Sequence, residues 1–305
     1  MEFFKHKTNI DFMGLRKWTA LLSAALFLAS LAALFTCKLN FGLDFTGGVQ
    51  VQLAFPSEVD LSQIRQTLTK SGFDEAVVQN YGSTRDVLIS LSAHEMEPSL
   101  ISHRLIAAFP SAQVKQIEFV GSQVGSELAT KGALAIIVAL LCIMAYIAFR
   151  FEYRFSVGAA VALIHDPILI LGVFALFHLE FNLTVLAAML AVIGYSLNDT
   201  IVIFDRVREN FRKIRKGSAL EIMNLSINQT LSRTIMTSVV TLVVVMALFF
   251  FGPPMIRNFS LALIIGIVVG TYSSIYVAGA LAVALGLSRK DLMKKLQPQE
   301  VDDRP

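Results

Sequence analysis

Charge is scarce in this chain. Asp, Glu, Lys and Arg make up 16% of its 305 residues, against about 25% in soluble globular domains. Mean hydropathy is +0.64. That deficit argues against an ordinary soluble protein and points to membrane insertion. Cysteine is scarcer still. Cys37 closes one apolar run and Cys142 lies inside another, with no Cys-x-x-Cys or zinc-type spacing, so neither a disulfide framework nor a zinc site is expected. A Gly-x-x-x-x-Gly-Lys-Ser/Thr loop is missing, which removes an ATP-hydrolysing P-loop, and no His-Glu-x-x-His exists for a metalloprotease. Gly194-Tyr195-Ser196-Leu197 lacks the second glycine of a nucleophile elbow. Asp166 and Asp199 satisfy an intramembrane aspartyl protease only formally, as two acids. An enzyme is therefore not the expected class, and no metal or cofactor is expected.

Long apolar runs are abundant. They fall at about 18–37, 132–149, 155–177, 183–204, 233–251 and 259–286, each long enough to cross ~30 Å of hydrocarbon at ~1.5 Å per residue. The first exceeds the ~7–15 residues of a signal-peptide core, so it reads as an uncleaved transmembrane helix. Basic residues gather at Lys5, Lys7, Arg16 and Lys17, at Arg150 and Arg154, at Arg206, Arg208, Arg212, Lys213, Arg215 and Lys216, and at Arg289, Lys290, Lys294 and Lys295. Six spans put all four groups on one side, and the short loops opposite hold only Arg257. The positive-inside rule then makes both termini cytoplasmic. The expected division is a cytoplasmic N-terminus with the first span (1–37), a periplasmic α+β domain (38–131), spans two to six (132–287) and a cytoplasmic tail (288–305).

The segment 38–131 carries its own pattern. Val49, Val51, Leu53 and Phe55 alternate with polar or small residues as in a half-buried strand. Leu61, Ile64 and Leu68 have helical spacing up to Gly72. Strands at 76–81 and 86–91, a helix at about 99–109 stopped by Pro110, and a strand at 112–120 complete a β-α-β-β-α-β order. That is the ferredoxin-like unit, which hosts many functions and decides none. The basic segment at about 205–231 reads as two short surface helices. Val207, Phe211 and Ile214 form an apolar stripe suited to an interface with anionic lipid. Gly217 breaks the first helix, and Ser218 with Glu221 forms a capping box for the second.

Ionisable side chains inside spans cost about 2.5–3.5 kcal/mol each on insertion scales. Span three holds His165-Asp166-Pro167, ~15 Å deep, span four holds Asn198-Asp199, ~10 Å deep, and Arg233 enters span five. One reading is a protonatable relay, in which Asp199 takes and releases a proton, Arg233 biases it, and His165 with Asp166 extends the path. The other is a static Asp199–Arg233 ion pair, an arginine that snorkels to the interface, and a His-Asp pair that satisfies carbonyls freed by Pro167. Asp205 reads as a helix-end charge. Gly266 and Gly270, with Ser273, Ser274 and Gly279, form a small-residue face for close packing. Gly42, Gly47 and Gly48 around Asp44 suit a tight turn in which Asp44 bonds local N–H groups.

Phe41-Gly42-Leu43-Asp44-Phe45-Thr46-Gly47-Gly48 resembles the GLDFxGG signature of the SecD/SecF proteins. The stretch from Ile193 through Asn198, Asp199 and Asp205 to Asn210 resembles the SecF fourth-span motif. Val120-Gly121 to Gly125, His165-Asp166 and Gly270 to Tyr276 also match, so the likeness runs over about 10–285. It implies an α-helical polytopic membrane protein with six transmembrane helices, of the RND-half type, plus a small α+β ferredoxin-like periplasmic domain. It further implies a pairing with SecD, association with SecYEG and YajC, and use of the proton-motive force to complete preprotein export across the inner membrane. The family's proton-carrying aspartate falls on Asp199 and its span-five arginine on Arg233. Nucleic acid is not an expected partner. One clear acid in half a transporter suggests an incomplete machine that needs a partner half. Half of an RND exporter for lipids or small molecules, and a non-transporting scaffold, are the alternatives.

Overall fold

The computed structural model describes residues 8–73, 76–91, 98–214 and 216–288. Lys5, Lys7, Arg215, Arg289, Lys290, Lys294, Lys295 and the rest of the tail lie outside the described residues. Six helical stretches are long and apolar enough to cross a membrane. They are α1 (Arg16–Thr36), α5 (Ser122–Arg150), α6 (Tyr153–Leu176), α7 (Leu183–Lys213), α8 (Ala219–Phe251) and a composite sixth. The sixth joins α9 (Arg257–Ser273) through a π-helical turn, Ser274–Gly279, to α10 (Ala280–Ala284).

Spans α6, α7 and α9 form the centre of the bundle, and α1, α5 and α8 leave most of their surface outward. The central helices approach closely because small residues allow it. A Cβ on Gly266 would lie 2.2 Å from Val192, and one on Gly270 would lie 2.9 Å from Ser196. The small-residue face therefore packs against α7 within the chain.

Two short strands tie the ends of the spans together. β1 (Asn40–Phe41), just past α1, pairs in parallel with β6 (Glu180–Phe181), between α6 and α7. A single turn, α2 (Leu43–Thr46), leads into the α+β domain. There β2 (Gly48–Ala54), α3 (Leu61–Lys70), β3 (Val77–Tyr81), β4 (Ser83–Leu91), α4 (Pro98–Ala108) and β5 (Gln113–Val120) follow the expected order. The sheet runs β3-β4-β2-β5 with every pairing antiparallel, the ferredoxin-like arrangement. Alternation sends Val49, Val51, Leu53, Val87 and Ile89 into one core with Ile64, Leu68, Ile101 and Leu105. The opposite face carries Gln50, Gln52, Gln116 and Glu118 and looks onto the membrane helices.

The segment 205–231 differs from expectation. It is not two surface helices but the extended ends of α7 and α8, which run on beyond the apolar runs as one hairpin. Val207 and Phe211 are buried against Ile222, Met223 and Ile227 rather than turned to lipid. Asn210 donates to Ser226 at 2.8 Å and to Gln229 at 2.9 Å across the same seam. An amphipathic stripe demands an apolar partner, and here a neighbouring helix supplies it. The Ser218–Glu221 capping box is present, with both reciprocal bonds made. Residues 10–12, just ahead of α1, are clipped to this hairpin. Asn228 accepts from the Ile10 N–H at 2.9 Å and donates to its carbonyl at 2.8 Å, and Asn224 accepts from Phe12 at 2.7 Å.

Candidate functional site: buried acids between the spans

Asp199 lies on the buried face of α7 with 3% of its surface exposed. Its Oδ2 is fully enclosed and has no hydrogen-bond partner. Thr234 Oγ1, on α8, is enclosed and unpartnered in the same way. Arg233 is the cation whose charge acts on Asp199, yet the two close no ion pair, and Arg233 is exposed on the outward side of α8. The static ion pair is thus not the arrangement found. An orphan carboxyl oxygen in an apolar interior is satisfied only by gaining a proton, a cation or a donor.

Asp166 sits in a separate, complete cluster. Ser196 Oγ of α7 donates to its Oδ2 at 2.5 Å, and Ser273 Oγ of α9 donates to the same oxygen at 2.8 Å. His165 Nδ1 lies 3.0 Å from Oδ1. Phe27 of α1 stacks on the His165 ring with 7° between planes, and His165 Nε2 is enclosed without a partner. The pair therefore bonds side chains from α7 and α9, not the carbonyls freed by Pro167. The π turn begins directly after Ser273, a distortion that often marks functional positions in helices. Ser196 precedes Asp199 by one helical turn on the same face, so the two clusters are neighbours with no hydrogen bond joining them.

Sequence reasoning missed Ser196, Ser273 and Thr234. A serine in an apolar helix looks the same whether it packs or binds a carboxylate, so only the fold separates the cases. Asn198 faces outward on α7 without a hydrogen-bond partner among the described residues, beside Gly194, whose added Cβ would meet nothing within 4 Å. Asp205 is tied to Arg150 at 2.9 Å near the hairpin's base. Among the described residues no group of three or more His, Cys, Asp or Glu is placed to hold a metal ion.

The glycine-rich turn does something other than expected. Asp44 Oδ2 accepts from the Leu183 N–H at 2.9 Å, capping the first turn of α7 rather than its own loop. Asn182 caps the same turn through Val185 N at 3.1 Å. A carboxylate there also meets the positive end of the α7 dipole. Gly42 and Gly47 complete the turn, and Gly47 and Gly48 take positive φ of 68° and 139°.

Beside this turn lies a cavity of about 530 Å³ between the polar sheet face and the membrane helices. Glu180 reaches into it and accepts from Gln79 at 3.2 Å. Burial pushes the Glu180 carboxyl above its usual 4.5; the Gln79 bond opposes this, and Asp44 and Glu118 add to it. A raised folded value means the native state holds the proton more tightly than the unfolded chain. Glu180 therefore carries no penalty below about pH 4.5, and the penalty grows as pH rises through the raised value. Glu180→Gln is expected to raise the melting temperature at about pH 7.5 and to flatten its decline above pH 4.5. A pH profile of melting that keeps the wild-type slope would refute this.

Six spans, a buried acid with an unpartnered oxygen, and one ferredoxin-like domain fit a membrane-transporter half of the RND type. Residues 101–288 match the family described as protein export membrane protein SecD/SecF, C-terminal, and residues 32–55 match the SecD/SecF GG motif. The chain is 47% identical to protein translocase subunit SecF of Vibrio alginolyticus, covering 100% of this chain and 99% of that one. With SecF of Pseudomonas aeruginosa the identity is 45%, over 97% and 98%. The crystal structure of SecDF, a translocon-associated membrane protein from Thermus thermophilus, superimposes with a TM-score of 0.86 at 39% identity. That match covers 92% of this chain and 39% of the longer SecDF chain. SecDF in a super-membrane-facing form matches at the same coverage with a TM-score of 0.70. The chain belongs to the SecF family of protein translocase subunits.

Proposed function

We propose that this chain pairs with a SecD-type half in the inner membrane, both termini cytoplasmic, and uses the proton-motive force to drive preprotein export. Asp199 is the proton carrier and Arg233 its electrostatic partner. His165 and Asp166 extend the polar path through Ser196, one turn from Asp199. The observation that carries this reading is the enclosed, unpartnered Asp199 oxygen beside an arginine that forms no ion pair with it. A carboxylate that served only to hold helices together would be fully bonded, and Asp199 is not. One charge crossing 100 mV releases ~2.3 kcal/mol, enough to bias a two-state arrangement of the α+β domain.

A partner half is supported by the surface of α7. Three of its sides are buried, and Ala187, Ala191, Gly194 and Asn198 line the fourth, outward side, with the exposed Arg233 on neighbouring α8. Small and polar residues facing outward in a span fit another helix better than lipid. SecYEG and YajC would then be met through the assembled pair, with preprotein as the cargo.

The test uses cells lacking the native gene. Complementation with this chain and its SecD-type partner should restore maturation of a pulse-labelled secreted precursor, and the tagged chain should carry that partner through mild detergent. Restored maturation without the partner, or no restoration at normal abundance, would end the proposal.

A further inference from the structure

The end of the bundle where α5 meets α6 carries a pocket with no place in the relay. All six lining residues are charged: Arg150 from α5, and Asp205, Arg208, Glu209, Arg212 and Lys213 from α7. The α7 residues lie at helical spacing on one face, and the cavity measures about 430 Å³. Four lining cations face two lining anions and Glu152, which pairs with Arg208, so the net charge is +1 (4 − 3). Lys213 pairs with Glu209 at 2.5 Å.

Its two inner guanidinium groups are held in place. Arg150 Nη2 bonds both Asp205 oxygens, at 3.0 and 2.9 Å, and Arg208 Nη2 lies 3.1 Å from Glu152. Both cations lie over the Phe151 ring, at 5.1 and 5.7 Å. Their acidic partners use only part of the donor set, and Arg208 Nε is enclosed with nothing to bond. Arg212, one turn further along, has no partner among the described residues. Fixed planar forks with spare donors and surplus positive charge recognise phosphate oxygens.

The surroundings select which phosphate. Next to Arg150, Tyr146 is 50% exposed, Phe149 94% and Tyr153 74%, the aromatic belt of a helix at a membrane surface. The pocket therefore stands at headgroup height, with the lipid-facing wall of α5 running away from it. A zwitterionic headgroup brings no net charge to a +1 site (4 − 3), whereas a glycerol-type headgroup brings one negative charge that matches it.

We infer that this pocket, formed between the end of α5 and the α7 extension, binds the phosphate of an anionic phospholipid in the leaflet on the side of that extension. With the proposed orientation this is the cytoplasmic leaflet. The bound lipid fixes the height of the hairpin that carries Asp199 and Arg233 at its base. Binding itself does not depend on proton coupling.

The test is native mass spectrometry of the purified full chain after delipidation, with added phosphatidylglycerol or phosphatidylcholine. Wild type should retain the anionic lipid preferentially. Arg212→Gln with Lys213→Gln should weaken retention about five-fold per side chain, roughly twenty-five-fold in all. Both side chains are exposed, so melting stays at the wild-type value; Arg212→Lys, which keeps the charge, should retain most of the binding. Equal retention of the two lipids, or unchanged retention by the double variant, overturns the site. Displacement of the lipid by millimolar inorganic phosphate overturns its assignment to lipid. Precursor maturation, read in parallel, reports on export and not on this site.

Discussion

Asp199→Asn is expected to slow precursor maturation to the rate of cells without the chain, with membrane abundance at the wild-type level. Asparagine matches aspartic acid in shape, so packing around α7 is retained. What changes is the ability to take and release a proton. The Asp199 oxygen has no hydrogen bond to lose, and Arg233 forms no ion pair with it, so the substitution removes no structural tie. Asp166→Asn has a different signature. Its oxygens accept from Ser196 and Ser273 and face His165 Nδ1, so an amide there places N–H groups against existing donors. Each buried group left unsatisfied costs about 1–3 kcal/mol, and the variant should lose abundance as well as export. Pulse labelling with quantitative blotting separates the two. Normal maturation with Asp199→Asn would remove this residue from the mechanism and favour a scaffold role.

Gly48→Ala is expected to produce the largest loss of stability from a single methyl group. Gly48 has φ +139°, a region almost closed to other residues, and an added Cβ would lie 2.2 Å from the Leu91 carbonyl oxygen. That oxygen belongs to the backbone of β4 and cannot swing aside. Strained backbone costs about 1–3 kcal/mol and overpacking adds about 1–3 more. The junction of β2, β4 and the α2 turn should open, lowering the melting temperature of the purified chain and exposing 38–131 to protease. Gly72 supplies the control. Its φ is +86°, but nothing lies within 4 Å of a Cβ there, so Gly72→Ala pays conformational strain alone, about 1 kcal/mol. Equal, small effects at both positions would contradict the packing described for the turn.

The α+β domain was legible because its strands alternate and its turns carry breakers, so local chemistry decides each element. The spans were legible from length and hydropathy, and an acid standing inside an apolar run marked Asp199 for attention, which the fold buries, whereas Arg233 lies exposed. What stayed hidden depends on distant partners. Asp44 looked like a local turn residue because its acceptor role is completed by Leu183, 139 positions away. Val207 and Phe211 looked lipid-facing because an apolar stripe does not say what covers it, and the α8 extension does. Ser196 and Ser273 carry no signal until the fold places both against Asp166.

The most direct test of the central claim is precursor translocation into inverted membrane vesicles holding this chain and its SecD-type partner, with and without an imposed proton gradient. The gradient should accelerate completion with wild type and do nothing with Asp199→Asn. Equal acceleration in both would contradict a proton carried at Asp199.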